Sequence, residues 1–406
     1  MATPLSNFFQ TQPIDMGKAA SEIATLNALR AHAAMVTEAS EDNWQAMIRY
    51  NYHMSTLAAR FSSYEADLKF QFTWMDPFRP QQKVVSGNIY FEWGCILWNM
   101  ASFESSKAAR IDRSTEEGIR TACKHFQNAA GIYDYIKQQI LPQLKGRMTS
   151  VLSDDGINLA KNLMSAQAMT CFYEKSVMDK KTGSMKAVIV GKLAQQASVF
   201  FSHTLSSCKA GNMAPILDPS WAFHAQFQSQ TFAGAAEYWT AMSAKEAALQ
   251  KGTGYGEEVV RLSRAEGYFA QALAVSKTAN MALHTYSPTE TILRTASKSK
   301  AAAIKDLQAV YMEMVPPDNT ISPVVGVSMV RPNMPFDNAT INEQRLFHDF
   351  MPKRVIDLIK TYKEQLDNLV NAQNTEVMNN SNAGRASLSS IGLPGSLEGM
   401  FFIFYS

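Results

Sequence analysis

Through most of the chain apolar residues recur every three to four positions, with few prolines or glycines between them, and this pattern predicts helices. The predicted helices cover 16–38, 40–60, 84–110, 114–140, 157–179, 185–208, 221–249, 257–283 and 352–377. Ser40 is placed to cap one of them, and Asp218 or Ser220 another. Ser114-Thr115-Glu116-Glu117 reads as a capping box, and Ser287-Pro288-Thr289-Glu290 joins a Ser cap to a proline at the first helical position. One segment breaks the rule: Leu68, Phe70, Phe72 and Trp74 alternate with Lys69, Gln71 and Thr73. That period of two predicts a strand with one buried face, ended by Asp76-Pro77 and paired in a small antiparallel sheet.

Two irregular stretches punctuate the helices. Gly252–Gly256, GTGYG, has glycines but no preceding strand and no phosphate-loop spacing, so it reads as a tight turn between two helices. From 315 to 342, Pro316, Pro317, Pro323, Pro332 and Pro335 forbid a continuous helix, which predicts an extended arm lying along the helices. Beyond about Val377 the run NNSNAGRASLSSIG is polar and reads as flexible.

Composition narrows the function classes. With 38 Lys+Arg against 36 Asp+Glu the formal charge is +2, which excludes the clustered basic excess of a nucleic-acid binder. The 46% hydrophobic content predicts a sizeable core. Cys95, Cys123, Cys171 and Cys208 lie far apart with no C-x-x-C, so buried free thiols in a reducing compartment are expected. The N-terminus lacks a basic stretch followed by an apolar run, and no apolar run approaches the ~20 residues of a membrane helix. A cytoplasmic protein is the expectation.

Catalytic patterns are missing. His32, His53, His125, His203, His224, His284 and His348 form no H-E-x-x-H and no i, i+4 pair with another His or a Cys, so no metal site or cofactor is expected. There is no G-x-S-x-G elbow. Asp154-Asp155 and Glu257-Glu258 sit near helix starts, where carboxylates serve the helix dipole. The chain therefore reads as a non-enzyme without a small-molecule substrate. A site assembled from distant residues is the competing reading, and a large enclosed cavity with converging polar groups would support it.

The helix predicted over 185–208 carries surplus apolar surface. Val190, Ala194, Ala197, Phe201 and Leu205 form a stripe, with Ile189, Leu193 and Phe200 beside it, making an arc roughly 160° wide. Two readings are open. Either two neighbouring helices bury this arc, or Ile189 and Leu193 line an open groove for a partner's amphipathic helix.

Several blocks in order carry a family resemblance. EEGIRTACKHFQNAAGIYDYIK, NLMSAQAMTCFYEKSVMD, MKAVIVGKLAQQA, FTWMDPF, GYGEEVVRLSRA, VYMEMVP, MVRPNMPF and LFHDFMPKRVIDLIKTYKEQLDNLV resemble the BRO domain, the N-terminal domain of a family of ESCRT accessory proteins. The resemblance implies a mainly α, boomerang-shaped, TPR-like helical solenoid with a small antiparallel sheet and an extended Pro-rich C-terminal arm. It implies a domain over 1–372 and a flexible tail over 373–406. It also implies binding rather than catalysis: an apolar groove takes the C-terminal amphipathic helix of a filament-forming ESCRT-III subunit, a charged multivesicular body protein. Carried over by position, the groove residues are Phe172, Ile189 and Leu193, with Arg120 and Lys124 as basic neighbours facing acidic groups on the incoming helix. Tyr311 resembles a phosphorylation and docking tyrosine of some relatives, against the alternative of a half-buried ring packing the arm.

The expected setting is an adaptor recruited peripherally to endosomes and multivesicular bodies. A signalling scaffold of the same fold, relaying ambient pH, is an alternative. Direct membrane contact by the curved face is another, resting only on pairs such as Lys180-Lys181 and Lys353-Arg354. SLSSIGLPGSLEG resembles the start of the V-shaped region of large relatives, so the tail reads as the start of that region or the end of a short protein. The last four residues, Ile403-Phe404-Tyr405-Ser406, hold no Cys, so the prenyl anchor of one short relative is not expected, and FFIFY is left as a docking peptide or an incidental end.

Overall fold

The computed structural model describes residues 1–35, 40–146, 148–337 and 341–393. The expectations for FFIFYS fall outside them. Helix α1 is Ala2–Phe9, α2 Met16–Ala34, α3 Glu41–Phe61, and a short α4 Glu65–Leu68 leads to β1, Phe72–Asp76, and β2, Arg79–Ser86. Seven helices follow: α5 (Ile89–Arg110), α6 (Glu116–Tyr135), α7 (Asp154–Lys181), α8 (Ala187–Cys208), α9 (Pro219–Lys251), α10 (Gly256–Thr278) and α11 (Leu283–Asp306). After an extended stretch comes α12, Lys353–Ser390.

The chain forms two units. The larger comprises residues 1–5 and 22–346. In it α5 to α11 pack each on the next, and α3 packs on α5, which is the arrangement of a helical solenoid. Side-chain caps set the helix starts. Ser40, Asn88, Thr115, Ser153 and Asp218 each accept a backbone N–H of the first turn. Phe201 of α8 and Phe232 of α9 stack at 5.7 Å, and Tyr173 of α7 meets Phe232 edge-on at 5.3 Å.

The sheet is the antiparallel pair β1–β2, with Phe72 opposite Ser86. Asp76 ends β1 because its carboxylate serves three donors: Phe78 N–H at 3.0 Å, Ser150 N–H at 2.6 Å and Ser150 Oγ at 2.8 Å. The glycine turn behaves as expected: Gly252 and Gly254 take φ values of 74° and 90°, and α10 begins at Gly256.

The extended arm runs back over the even-numbered helices. Near its start Arg264 of α10 donates to Asp318 Oδ1 at 2.7 Å and to the Ile321 carbonyl at 3.0 Å, while Arg261 reaches the Ser322 carbonyl at 3.2 Å. Val327 N–H then donates to the Lys192 carbonyl of α8 at 3.3 Å, and Asn333 N–H to the Gln127 carbonyl of α6 at 3.1 Å. The approach is close enough that a Cβ on Gly131 would stand 2.3 Å from the Asn333 carbonyl oxygen. Gly131→Ala is therefore expected to lift this end of the arm, at a cost of about 1–3 kcal/mol. Faster hydrogen exchange at Asn333 N–H would register it; unchanged exchange there would contradict it.

The smaller unit comprises residues 6–21 and 347–406. Phe9 packs on Phe347 at 5.3 Å and Phe350 at 5.1 Å, Lys18 pairs with Asp349, and Lys353 N–H donates to Gln12 Oε1 at 2.9 Å. From there α12 runs to Ser390 with no buried residue.

Some expectations need correction. Val84 belongs to β2, because the helix starts only after the Asn88 cap. Leu68 ends α4, so the strand is confined to the second half of the alternating segment. Thr115, not Ser114, caps α6. Pro288 lies inside α11 rather than at its start. Its missing N–H leaves the His284 carbonyl without its helical donor, at a position open to solvent. The polar stretch after 377, expected to be flexible, continues α12 to Ser390. No helix among the described residues is long and apolar enough to cross a membrane.

Candidate partner-binding groove

Three sequence-predicted residues are brought together. A cleft of about 270 Å³ between α6 and α7 is lined by Ile119, Arg120, Cys123, Lys124, Gln127, Cys171, Phe172 and Lys175. Phe172 is half-buried, resting on the core that α7, α8 and α9 share. The wall is basic, and its cations differ in what they hold. Arg120 donates to Glu116 at 2.6 Å, and Lys175 lies 2.5 Å from Asp179 and 3.4 Å from Glu116. The hydrogen bond to Asp179 raises the Lys175 pKa. Lys124 is exposed and has no ion-pair partner among the described residues.

The two residues on α8 do not line that cleft, and they differ from each other. Ile189 is 39% exposed, whereas Leu193 is 7% exposed and belongs to the core with Met169, Ala197 and Phe232. Leu193, expected to line an open groove, presents little surface here, with α7 and α9 both packed on α8. Val190, Ala194, Ala197 and Phe201 are buried as the stripe predicted. Of the surplus arc, Ile189 stays open.

The arm supplies residues that the sequence reading missed. Val324 and Val330 pack on the core, while Val327 and Met329 between them are 45% and 46% exposed. Backbone bonds fix where they lie. Val327 N–H binds the carbonyl of Lys192, less than one turn beyond Ile189, and Arg331 N–H donates at 2.8 Å to Gln127 Oε1 in the cleft wall. The arm thus passes both Ile189's helix and the Phe172 cleft. Apolar residues fill both phases of Val324–Val330, VVGVSMV, so no local pattern marks which of them face outward.

Tyr311 stacks on Tyr255 with centroids 3.5 Å apart and planes 5° apart. Glu313 beside it accepts the N–H groups of Gly254 and Tyr255 at 3.1 and 2.8 Å. This half-buried ring packs the α9–α10 turn against the start of the arm. Another cleft, of about 530 Å³, lies elsewhere and is lined by Leu163, Gln167, Trp221, His224 and Met281 among others, with no charged side chain. Burial lowers the His224 pKa, so the ring there is neutral. Among the described residues no group of three or more His, Cys, Asp or Glu could hold a metal ion.

A family model described as the BRO1-like domain matches residues 1–370. ALG-2 interacting protein X of Dictyostelium discoideum is 27% identical, over 98% of this chain and 48% of its own length. Vacuolar protein-sorting protein BRO1 of Gibberella zeae is 27% identical, over 97% of this chain and 40% of its own length. The chain thus spans less than half the length of these relatives. A solved structure described as an ALIX BRO1 CHMP4C complex superposes with a TM-score of 0.72 at 24% identity, over 86% of this chain and 96% of that one, which shows a shared fold. With the family match running through the solenoid, the sheet and the arm, the chain belongs to the BRO1-like domain family.

Proposed function

We propose that this chain is a non-enzymatic, ESCRT-associated adaptor whose surface at α6, α7, α8 and the arm seats the C-terminal amphipathic helix of an ESCRT-III subunit. The observation that carries the reading is Ile189, a large apolar side chain left open on α8 three residues before the Lys192 carbonyl that holds the arm at Val327, together with the Phe172 cleft. A helix laid there would cover Ile189, Phe172, Val327 and Met329, and Lys124 would meet acidic residues on its polar side. Leu193 supports the floor from beneath without touching the partner. A structural relative was solved with CHMP4C, which supports this class of partner.

Fully burying an aliphatic or aromatic side chain gives about 1.5–3 kcal/mol, and association and side-chain ordering offset much of that. The contact is then weak alone and strengthened when a filament presents many copies. A relative named for vacuolar protein sorting supports a place in endosomal and multivesicular-body sorting, at membranes the protein reaches through its partner. A pH-relay scaffold of the same fold would use the same surface, and co-purified partners separate the two.

Titration of the folded protein with an ESCRT-III C-terminal helix peptide tests the reading, with saturable binding expected. Reversing the charge in Lys124→Glu is expected to weaken it roughly fivefold and to flatten its salt dependence, as for a rim charge. An unchanged salt dependence would remove Lys124 from the contact.

A further inference from the structure

The α6–α7 cleft holds a second chemistry that the partner reading does not use. Cys123 of α6 and Cys171 of α7 both line it, near enough for each thiol to perturb the other's ionisation. Cys123 Sγ also lies 3.7 Å from the Ala168 carbonyl and accepts from Gln127 Nε2 at 3.7 Å. Cys123 is 7% exposed at the cleft and Cys171 is fully buried behind it.

The neighbouring Cys171 thiol lowers the Cys123 pKa, although burial opposes this. The Cys123 thiol, then burial, pushes Cys171 strongly up. Two facing charges act on Cys171 in opposite senses, Glu174 raising it and Arg113 lowering it. Of the two thiols, Cys123 is thus the one shifted toward the thiolate. Arg120, Lys124 and Lys175 line the cleft with Cys123, and of these Arg120 and Lys175 are already paired with Glu116 and Asp179. The other two thiols lack this setting: burial raises the pKa of Cys95 and of Cys208.

We propose that Cys123 and Cys171 form an oxidisable dithiol, in which a small hydroperoxide entering the cleft is reduced and a disulfide joins α6 to α7. The Cys123 thiolate attacks the terminal peroxide oxygen. The O–O bond breaks, and the departing alkoxide or hydroxide takes a proton, leaving a sulfenic acid on Cys123. The Cys171 sulfur then attacks the Cys123 sulfur. The S–S bond forms, the S–O bond breaks, and hydroxide leaves with the Cys171 proton as water. Two electrons pass from the two sulfurs to the peroxide, and a thiol reductant reverses the bridge. The closed bridge ties together the two helices that carry Arg120 and Phe172, whatever occupies the surface above.

The test exposes the intact, folded protein to hydrogen peroxide, blocks residual thiols with an alkylating agent in denaturant, and maps peptides without reduction. The expected map shows one linked pair, Cys123 with Cys171, a mass loss of two hydrogen atoms, and alkylated Cys95 and Cys208. In Cys171→Ser the reaction is expected to stop at a dimedone-reactive Cys123, and Cys123→Ala is expected to leave Cys171 unoxidised, with circular dichroism reporting that each is folded. The wild-type map decides the matter even where a variant misfolds. Full alkylation of both cysteines after peroxide, sulfinic acid at Cys123 without a bridge, or a bridge formed only in unfolded protein would overturn the proposal.

Discussion

Replacing Glu92 by alanine is expected to destabilise the larger unit by about 3–5 kcal/mol, the cost of stripping one partner from a buried ion pair. Glu92 is fully buried on α5 and serves four donors from three other elements. Arg30 of α2 reaches its two oxygens at 2.8 and 3.2 Å, Tyr50 of α3 donates at 3.0 Å, and Trp74 of β1 donates at 2.6 Å. Burial, and then the Glu92 carboxylate, push the Tyr50 phenol well up, so it stays a donor at ordinary pH. Removing the carboxylate leaves a half-buried guanidinium and a buried hydroxyl without acceptors, and the sheet loses its tie to α5. Glu92→Gln does not rescue the site, because its amide N–H₂ would face Arg30. Denaturant unfolding followed by tryptophan fluorescence measures the effect. A loss below about 1 kcal/mol would mean that water replaces the carboxylate at little cost.

Leu193→Asp and Ile189→Asp, four residues apart on one helix, are expected to separate fold from surface. Leu193 sits in the core, so an aspartate there places an unpaired carboxylate among apolar side chains and is expected to destabilise by several kcal/mol. Loss of partner binding in that variant would say nothing about contact. Ile189 is 39% exposed, and Ile189→Asp is expected to change stability by less than about 1 kcal/mol. Its effect on binding is expected to exceed roughly tenfold, since a partner would bury the new charge and lose about 1.5–3 kcal/mol of apolar contact. Thermal unfolding and peptide titration of both variants, side by side, check this.

The helical run of the chain was legible because caps and periodicity are local. Ser40 and Asp218 cap their helices where the sequence placed them. The failures share a cause: the deciding contact lies elsewhere in the chain. Val84 looks helical among its apolar neighbours, but it pairs with Trp74 across the sheet. The last helix extends past Val377 to Ser390, where the polar run NNSNAGRASLSS carries no apolar stripe for a pattern to find. Within the candidate site the arc on α8 was read correctly as too wide for one neighbour. Which residue of it stays open depended on how α7 and α9 pack on α8, and no local pattern encodes that. The same holds for Val327 and Met329, which reach the site only through the arm's backbone bonds to α8 and α6. Cys123 and Cys171 become neighbours only when α6 packs on α7.

The most direct test of the account is isothermal titration of an ESCRT-III C-terminal helix peptide into the folded wild type and into Ile189→Asp. The account predicts saturable binding to the wild type and at least a roughly tenfold weaker affinity in the variant, with unchanged thermal unfolding. Equal affinity of the two folded proteins would show that the peptide sits elsewhere and would contradict the groove at Ile189.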